Sequence, residues 1–327
     1  MKKNDIFEAT ITDLTTEGSG VCRIEELAVF VPHTAVGDHI RVKIVKVLKK
    51  YAFGIVEQLL QPSPDRIEPA CSLSQCGGCL FQHITYAAEL RVKEKTVQDA
   101  FVRLGKLHPH FLSIAGADQR SRYRNKAQYP VGEDKDGNII MGFYAGHTHS
   151  IIPCDASLLG DEDNSVILTA VKQWMKDYRV RAYNENIHKG TLRHILIRTG
   201  FHTDEIMVCL VTKKMLRKEA ADGLVRVIER LNSGSSASDN ISSGSDNNTS
   251  NNSGRKLNIA SLVVNINKED TNVILGRECV TLYGRPYIED YIGDIKFQIS
   301  PLSFFQVNPK QTEVLYNKAL EFANLTG

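Results

Sequence analysis

Three cysteines fall within nine residues, Cys71-Ser-Leu-Ser-Gln-Cys76-Gly-Gly-Cys79, and Gly77 and Gly78 remove the side chains that would keep the backbone from wrapping an inorganic centre. Soft thiolates this close, in a chain with an odd count of seven cysteines and no export signal, point to metal and away from a disulfide framework. Structural zinc usually takes two CxxC knuckles, and only one pair here has that spacing, so iron–sulfur chemistry fits better. By spacing alone, C-x4-C-x2-C matches a plant-type [2Fe-2S] arrangement, which needs one distant fourth cysteine. Cys154 is the candidate, since it follows Pro153 at the end of the apolar run Ser150-Ile151-Ile152. Cys209 and Cys279 sit inside apolar runs, as small core residues do, and Cys22 is read as structural or incidental. Zinc and free thiols are the alternatives.

Clustered charge is the second chemical signal. Arg120, Arg122, Arg124 and Lys126 place four cations at every second residue, and an extended strand would put them on one face, about 7 Å apart. Like charges in a row repel, so the arrangement costs stability unless an anion lies along it. Contact with RNA or DNA is therefore favoured over the plainer reading, an edge strand whose charges discourage aggregation. A second basic stretch holds His188, Lys189, Arg193, His194 and Arg198. Its histidines lack a neighbouring carboxylate or thiolate at ligand spacing, so neither is read as a metal ligand. Lys43, Lys46, Lys49 and Lys50 form a third group, with a solvated lysine face as its plainer explanation.

The elements that must position these groups can be read from periodicity. Residues 6 to 57 alternate as short strands broken by turns: Phe7, Ala9, Ile11, then Val29, Val31, then Ile40, Val42, Ile44, then Tyr51, Phe53, Ile55. About five such strands suggest a small OB-type barrel whose basic rim carries Lys49 and Lys50. Pro62, Pro64 and Pro69 mark a linker, and from Thr85 a helical stripe runs through Leu90, Val97, Phe101 and Leu104 to a stop at Gly105. Strand-like runs follow at 123 to 131, 138 to 144, 192 to 199, 205 to 212 and 261 to 266, interrupted by a helical pattern from Met215 to Leu231. Residues 232 to 255, nearly all Ser, Asn, Gly and Asp, are predicted to be a disordered loop inside one domain, because they cannot bury enough apolar surface to offset chain entropy. A helix is expected to start at Asn308-Pro309.

Across 327 residues, 42% hydrophobic and 24% charged, the composition is that of a folded chain of two or three domains. A net charge of +2 says little about partners. No run approaches 18 apolar residues and the start lacks an apolar leader, so a cytoplasmic protein without membrane contact is expected, most simply a monomer.

Cys71-x4-Cys76-Gly-Gly-Cys79, Tyr123-Arg-Asn-Lys126, Gly142-Phe-Tyr144, Leu192-Arg-His194, Asn272-Val-Ile-Leu-Gly276 and Phe304-Phe-Gln-Val-Asn-Pro309 together resemble the RNA (uracil-5-)methyltransferase family, most closely its 23S ribosomal RNA members. The barrel is similar to the TRAM domain of those members. The resemblance implies a multidomain α/β protein: a TRAM OB-like barrel over 1–60, an iron–sulfur segment and central RNA-binding domain over 61–285, and over 286–327 the incomplete beginning of a Rossmann-like domain for S-adenosylmethionine. It further implies that Cys71, Cys76, Cys79 and Cys154 ligate a [4Fe-4S] cluster and that Gln306 contacts the methyl donor. Family members commonly have five residues between the first two cysteines; this chain has four. RNA, 23S ribosomal RNA in particular, is the implied partner, with Arg120, Arg122, Arg124, Lys126, Arg193, Lys49 and Lys50 as candidate contacts.

The family's reaction adds a cysteine thiolate to C6 of a flipped-out uracil, transfers the sulfonium methyl to C5, and removes the C5 proton with a glutamate. Those two residues lie beyond the Phe-Phe-Gln-Val-Asn-Pro motif in the family, and only 21 residues follow Gln306 here. The resulting expectation is a truncated methyltransferase, inactive in isolation, with no catalytic residue in the chain. The competing expectation is an RNA-binding iron–sulfur module. Electron transfer is weaker, because residues 110 to 300 would then have no task.

Overall fold

A computed structural model describes residues 1–73, 76–146, 148–235 and 255–324. The chain divides into two compact units, Met1–Gly116 and Ala117–Gly327.

The first unit is built on strands β1 (Ile6–Thr10), β2 (Asp13–Leu14), β3 (Gly20–Ile24), β4 (Leu27–Val31), β5 (His39–Val47) and β6 (Tyr51–Gln61), ordered β1-β5-β6-β4-β3-β2. Just past β1 the Thr12 amide donates to the Val21 carbonyl of β3 at 2.8 Å, which curls the sheet toward a barrel. On β5, Ile40, Val42 and Ile44 are fully buried at the two-residue period of a strand, meeting Ile11, Cys22, Val29, Val31 and Ala52. Each such side chain contributes roughly 1.5–3 kcal/mol by leaving water. On β6 the phase runs against residue size: Ala52 and Gly54 face the core, while Tyr51, Phe53 and Ile55 are 38%, 38% and 46% exposed. A Cβ at Gly54 would stand 2.4 Å from Val42 Cγ2, so only glycine fits there.

Asp38 ties the segment after the barrel to it. Its fully buried carboxylate accepts from the amides of Ala35 and Ser63 and from the Arg66 guanidinium. Helix α1 (Tyr86–Asp99) starts at Thr85, whose hydroxyl caps the Ala88 amide at 3.3 Å. Ala88 is buried with Leu14, Ala35 and Ile84. The expected apolar stripe of this helix is not a core face: Val97 is 51% and Leu104 84% exposed. A π-helical turn over Ala100–Leu104 shifts the period before the stop at Gly105.

The second unit carries a seven-stranded sheet ordered β13-β12-β11-β10-β7-β8-β9, from β7 (Lys126–Glu133), β8 (Ile139–Tyr144), β9 (Ile151–Pro153), β10 (Leu192–Thr199), β11 (Ile206–Thr212), β12 (Ile259–Ile266) and β13 (Glu278–Gly284). Its single parallel pair, β11 with β12, is joined through helix α3 (Lys218–Ser233). Helix α2 (Asp163–Asp177) packs beside α3, where Trp174 Nε1 donates to the Ala220 carbonyl at 2.8 Å. Ile167, Val171, Leu224 and Ile228 from these helices share a core with Ile195, Val208 and Leu262 of the sheet. The opposite face is covered too: Met207 packs with Ile288, Ile299 and Phe305, from the hairpin β14 (Ile288–Ile292) and β15 (Ile295–Ile299) and the segment after it. Burial on both faces explains why β11 reads as a nearly continuous apolar run, and β10 is buried just as fully although it carries Arg193, His194 and Arg198. Helix α4 (Pro309–Ala323) begins at Asn308, whose side chain caps the Gln311 amide at 3.2 Å. Of the Ser/Asn/Gly-rich insertion, 236–254 lies outside the described residues; its first residues complete α3, which Gly234 ends at φ 72°. Among the described residues no helix is long and apolar enough to cross a membrane.

Candidate nucleic-acid interface

On the barrel, Lys49 and Lys50 are exposed in the turn between β5 and β6. The strand leaving that turn presents Tyr51 and Phe53 to solvent beside Phe30 of β4. The three rings form one cluster, with centroids 5.6 Å (Phe30–Tyr51), 5.9 Å (Phe30–Phe53) and 5.5 Å (Tyr51–Phe53) apart. Lys46 is paired with Phe53 across β5 and β6, so cations border the rings. Exposed aromatic faces ringed by lysines can stack bases and neutralise phosphates together. Reading the sequence identified the lysines and missed the rings' role. The signal was present in the small residues Ala52 and Gly54, which leave the large ones of β6 no place inside.

In the second unit the predicted row of four cations on one strand face does not form. Strand β7 starts only at Lys126, and Arg122 has φ 55°. Arg122 turns inward: its Nη1 donates to the carbonyls of Ser157 at 2.7 Å and Gly160 at 3.0 Å, satisfying backbone acceptors of a loop. Its amide, and that of Arg124, also hold Leu158 and Leu159. Arg120 and Arg124 keep exposed side chains. Lys126 is half-buried, and its ammonium is held below the usual lysine range by burial first and by the Arg198 charge second.

Buried polar groups at this end of the sheet pin the segment that contains Gln306. Asn125, 4% exposed, donates through Nδ2 to the Gln306 carbonyl at 2.9 Å, and its amide donates to the Val307 carbonyl at 3.0 Å. Arg198 donates to the Ser303 carbonyl, and burial pushes its guanidinium down to about 10. Phe305 anchors the segment in the core, which leaves Gln306 half-buried beside Phe304, 86% exposed. Phe304 was not singled out by the sequence. Arg193 is 5% exposed and belongs to the far end of β10.

Cys71, Cys76 and Cys79 lie in an irregular stretch of the first unit, and Cys154 is buried in the second, its amide donating to the Met141 carbonyl at 3.0 Å. Among the described residues no group of three or more His, Cys, Asp or Glu is placed to hold a metal. The cluster implied for Cys71, Cys76, Cys79 and Cys154 thus gains no support among the described residues. Cys76 Sγ lies over Gly78, 3.5 Å from where a Cβ would stand. Cys22 is core, as burial pushing its thiol up to about 11 reflects. Cys209 is buried likewise, but Cys279 is exposed on β13 and accepts from Asn265 Nδ2 at 3.2 Å, which corrects its reading as a core residue.

Comparison with known proteins adds the following. Residues 2–56 match the family model of the TRAM domain. A protein of Halalkalibacterium halodurans named an uncharacterized RNA methyltransferase is 43% identical over 100% of this chain, which spans 66% of that relative. One from Staphylococcus epidermidis with the same description is 36% identical, again over 100% of this chain and 67% of its own length. The expectation of an inactive fragment gains no support from these matches, which run along the whole chain; the chain spans about two thirds of the relatives' length. Among solved structures, the Pyrococcus abyssi tRNA (uracil-54, C5)-methyltransferase in complex with S-adenosyl-L-homocysteine has the same fold, with TM-score 0.67 and 21% identity, covering 98% of this chain and 65% of that one.

Proposed function

We propose, from the premise that this chain belongs to the RNA methyltransferase family of those relatives, that it serves the methylation of uridine at C5 in RNA, with S-adenosylmethionine as methyl donor. The observation that carries this reading is the pairing of two features: a lysine-bordered aromatic cluster on a TRAM barrel, and a Phe-Phe-Gln-Val-Asn-Pro segment held rigid by Asn125 and Arg198. The first suits single-stranded RNA, whose bases stack on exposed rings while lysines meet phosphates. In the second, the half-buried Gln306 offers an amide donor and a carbonyl acceptor on a fixed backbone, which fits contact with the polar groups of the methyl donor. When bound, S-adenosylmethionine supplies an electrophilic methyl group. Phe304, exposed next to Gln306, is suited to stack on a uracil drawn out of its helix. Arg120 and Arg124 supply phosphate contacts nearby, whereas Arg122 acts by holding the local backbone.

The likeness of the sequence motifs to ribosomal RNA enzymes favours 23S ribosomal RNA as the substrate. The fold shared with a transfer RNA enzyme favours transfer RNA as the second reading. Deleting the gene and mapping 5-methyluridine in ribosomal and transfer RNA by mass spectrometry tests both. Loss of the mark at a defined ribosomal site supports the first reading and loss at a transfer RNA site the second. An unchanged set of 5-methyluridines refutes the proposal.

A further inference from the structure

A cleft of about 520 Å³ opens in the second unit, lined on one side by Tyr144, His149 and Ile151 and on the other by residues from Arg181 to Gly190. It reaches Val131–Glu133, at the opposite end of β7 from Asn125 and the segment it pins, about 20 Å along the strand. Its volume lies within the ~300–1,000 Å³ of sites for small ligands. Arg193 lines it, 5% exposed, with its guanidinium 4.8 Å from the Tyr183 ring centroid. The Nη atoms of Arg193 donate to the carbonyls of Asn267, Glu269 and Thr271, none of them a carboxylate, and its Nε has no partner among the described residues. A desolvated cation balanced only by carbonyls and a ring is costly, and an entering anion relieves that cost.

Arg181 is bound to both oxygens of Glu133, at 2.7 and 2.6 Å, and Glu185, the other carboxylate of the lining, lies 3.1 Å from His149 Nδ1. Lys189 stands exposed on the lining beside Gly190, which has φ 110° and where a Cβ would meet the Ala182 carbonyl at 1.9 Å. That turn can be made only by glycine, so the position of Lys189 is built in. Tyr144 and His149 stack with centroids 5.2 Å apart and planes at 21°, offering one flat aromatic surface at the cleft.

We propose that this cleft takes one unpaired nucleotide of the bound RNA, its phosphate met by Arg193 and Lys189 and its base by the Tyr144–His149 ring pair. The proposal rests on the RNA-binding reading above and adds a second anchor remote from the Gln306 segment. A free nucleoside monophosphate has the same chemistry and is the other source of such a ligand.

Photo-crosslinking of the chain to single-stranded RNA carrying 4-thiouridine, with the linked peptides mapped by mass spectrometry, tests it. Linkage at Tyr144 or His149 is expected, and His149→Ala and Lys189→Ala, both exposed positions, are each expected to weaken RNA binding at least about fivefold without moving the thermal midpoint. Competition of that linkage by millimolar uridine 5′-monophosphate assigns the cleft to free nucleotides as well; persistence of the linkage assigns it to RNA. Binding of RNA with linkage only elsewhere, and both variants at wild-type affinity, overturns the cleft proposal alone. Failure of the wild-type chain to bind RNA overturns it together with the reading beneath it.

Discussion

Removing the charges and the rings of the barrel surface separately is expected to produce two different signatures in RNA binding. Lys49 and Lys50 are exposed in a turn, so Lys49→Ala/Lys50→Ala removes two phosphate partners with little effect on folding. Each phosphate neutralised on a single strand contributes about 0.7 to the slope of log affinity against log salt, so the double variant lowers that slope by about 1.4. Between about 50 and 200 mM salt, the affinity gap between wild type and variant then narrows about sevenfold. Tyr51→Ala/Phe53→Ala removes two rings that are each 38% exposed. A lost stacking contact costs roughly 1–3 kcal/mol per base, a fall of about 5- to 150-fold in affinity, and the salt slope stays at the wild-type value. Fluorescence anisotropy with a labelled single-stranded RNA, repeated across salt concentrations, measures both. An unchanged slope in the lysine variant would show those charges to be merely solvated. Wild-type affinity in the aromatic variant would refute the platform.

Asp38→Ala leaves Arg66 and two amides around a fully buried site without their acceptor, and the first unit is expected to lose about 3–5 kcal/mol, read by denaturant unfolding. Burial alone would raise the Asp38 carboxyl, yet the Arg66 guanidinium and the amides of Ala35 and Ser63 hold it below the usual range. Its stabilising contribution is thus present above the ordinary aspartate value and lost as pH falls through the lower, folded one. In the second unit, burial and then the neighbouring Arg193 charge push His194 down to about 4. The unfolded chain takes up this proton near pH ~6.5 and the folded one only near 4, so stability falls by about 3 kcal/mol as pH drops across that window. His194→Gln is expected to flatten that part of the pH–stability curve; an unaltered curve would refute the assignment.

Periodicity made much of this fold legible. Ile40, Val42 and Ile44 declared a half-buried strand and the apolar run of β11 a strand, whereas the basic residues of β10 gave no sign that Arg193, His194 and Arg198 would be buried. Helix α2 went unread although Ile167, Val171 and Trp174 mark one buried face at helical spacing, because the acidic residues before it resemble a loop as much as a helix start. Spacing misled at the basic row. Alternate cations from Arg120 to Lys126 imply a shared face only if the backbone stays extended, and it does not at Arg122. Nearby cysteines imply a metal site only if their thiols converge, and no such group forms among the described residues. The pinning of Gln306 by Asn125 joins positions 181 residues apart, a relation carried by tertiary packing and by no local pattern.

Equilibrium titration of the chain with uridine-containing single-stranded RNA at rising salt tests most directly whether this molecule is built to grip RNA. A micromolar or tighter dissociation constant that weakens linearly on a log–log salt plot is expected. Absence of binding at low salt, or an affinity indifferent to salt, would contradict it.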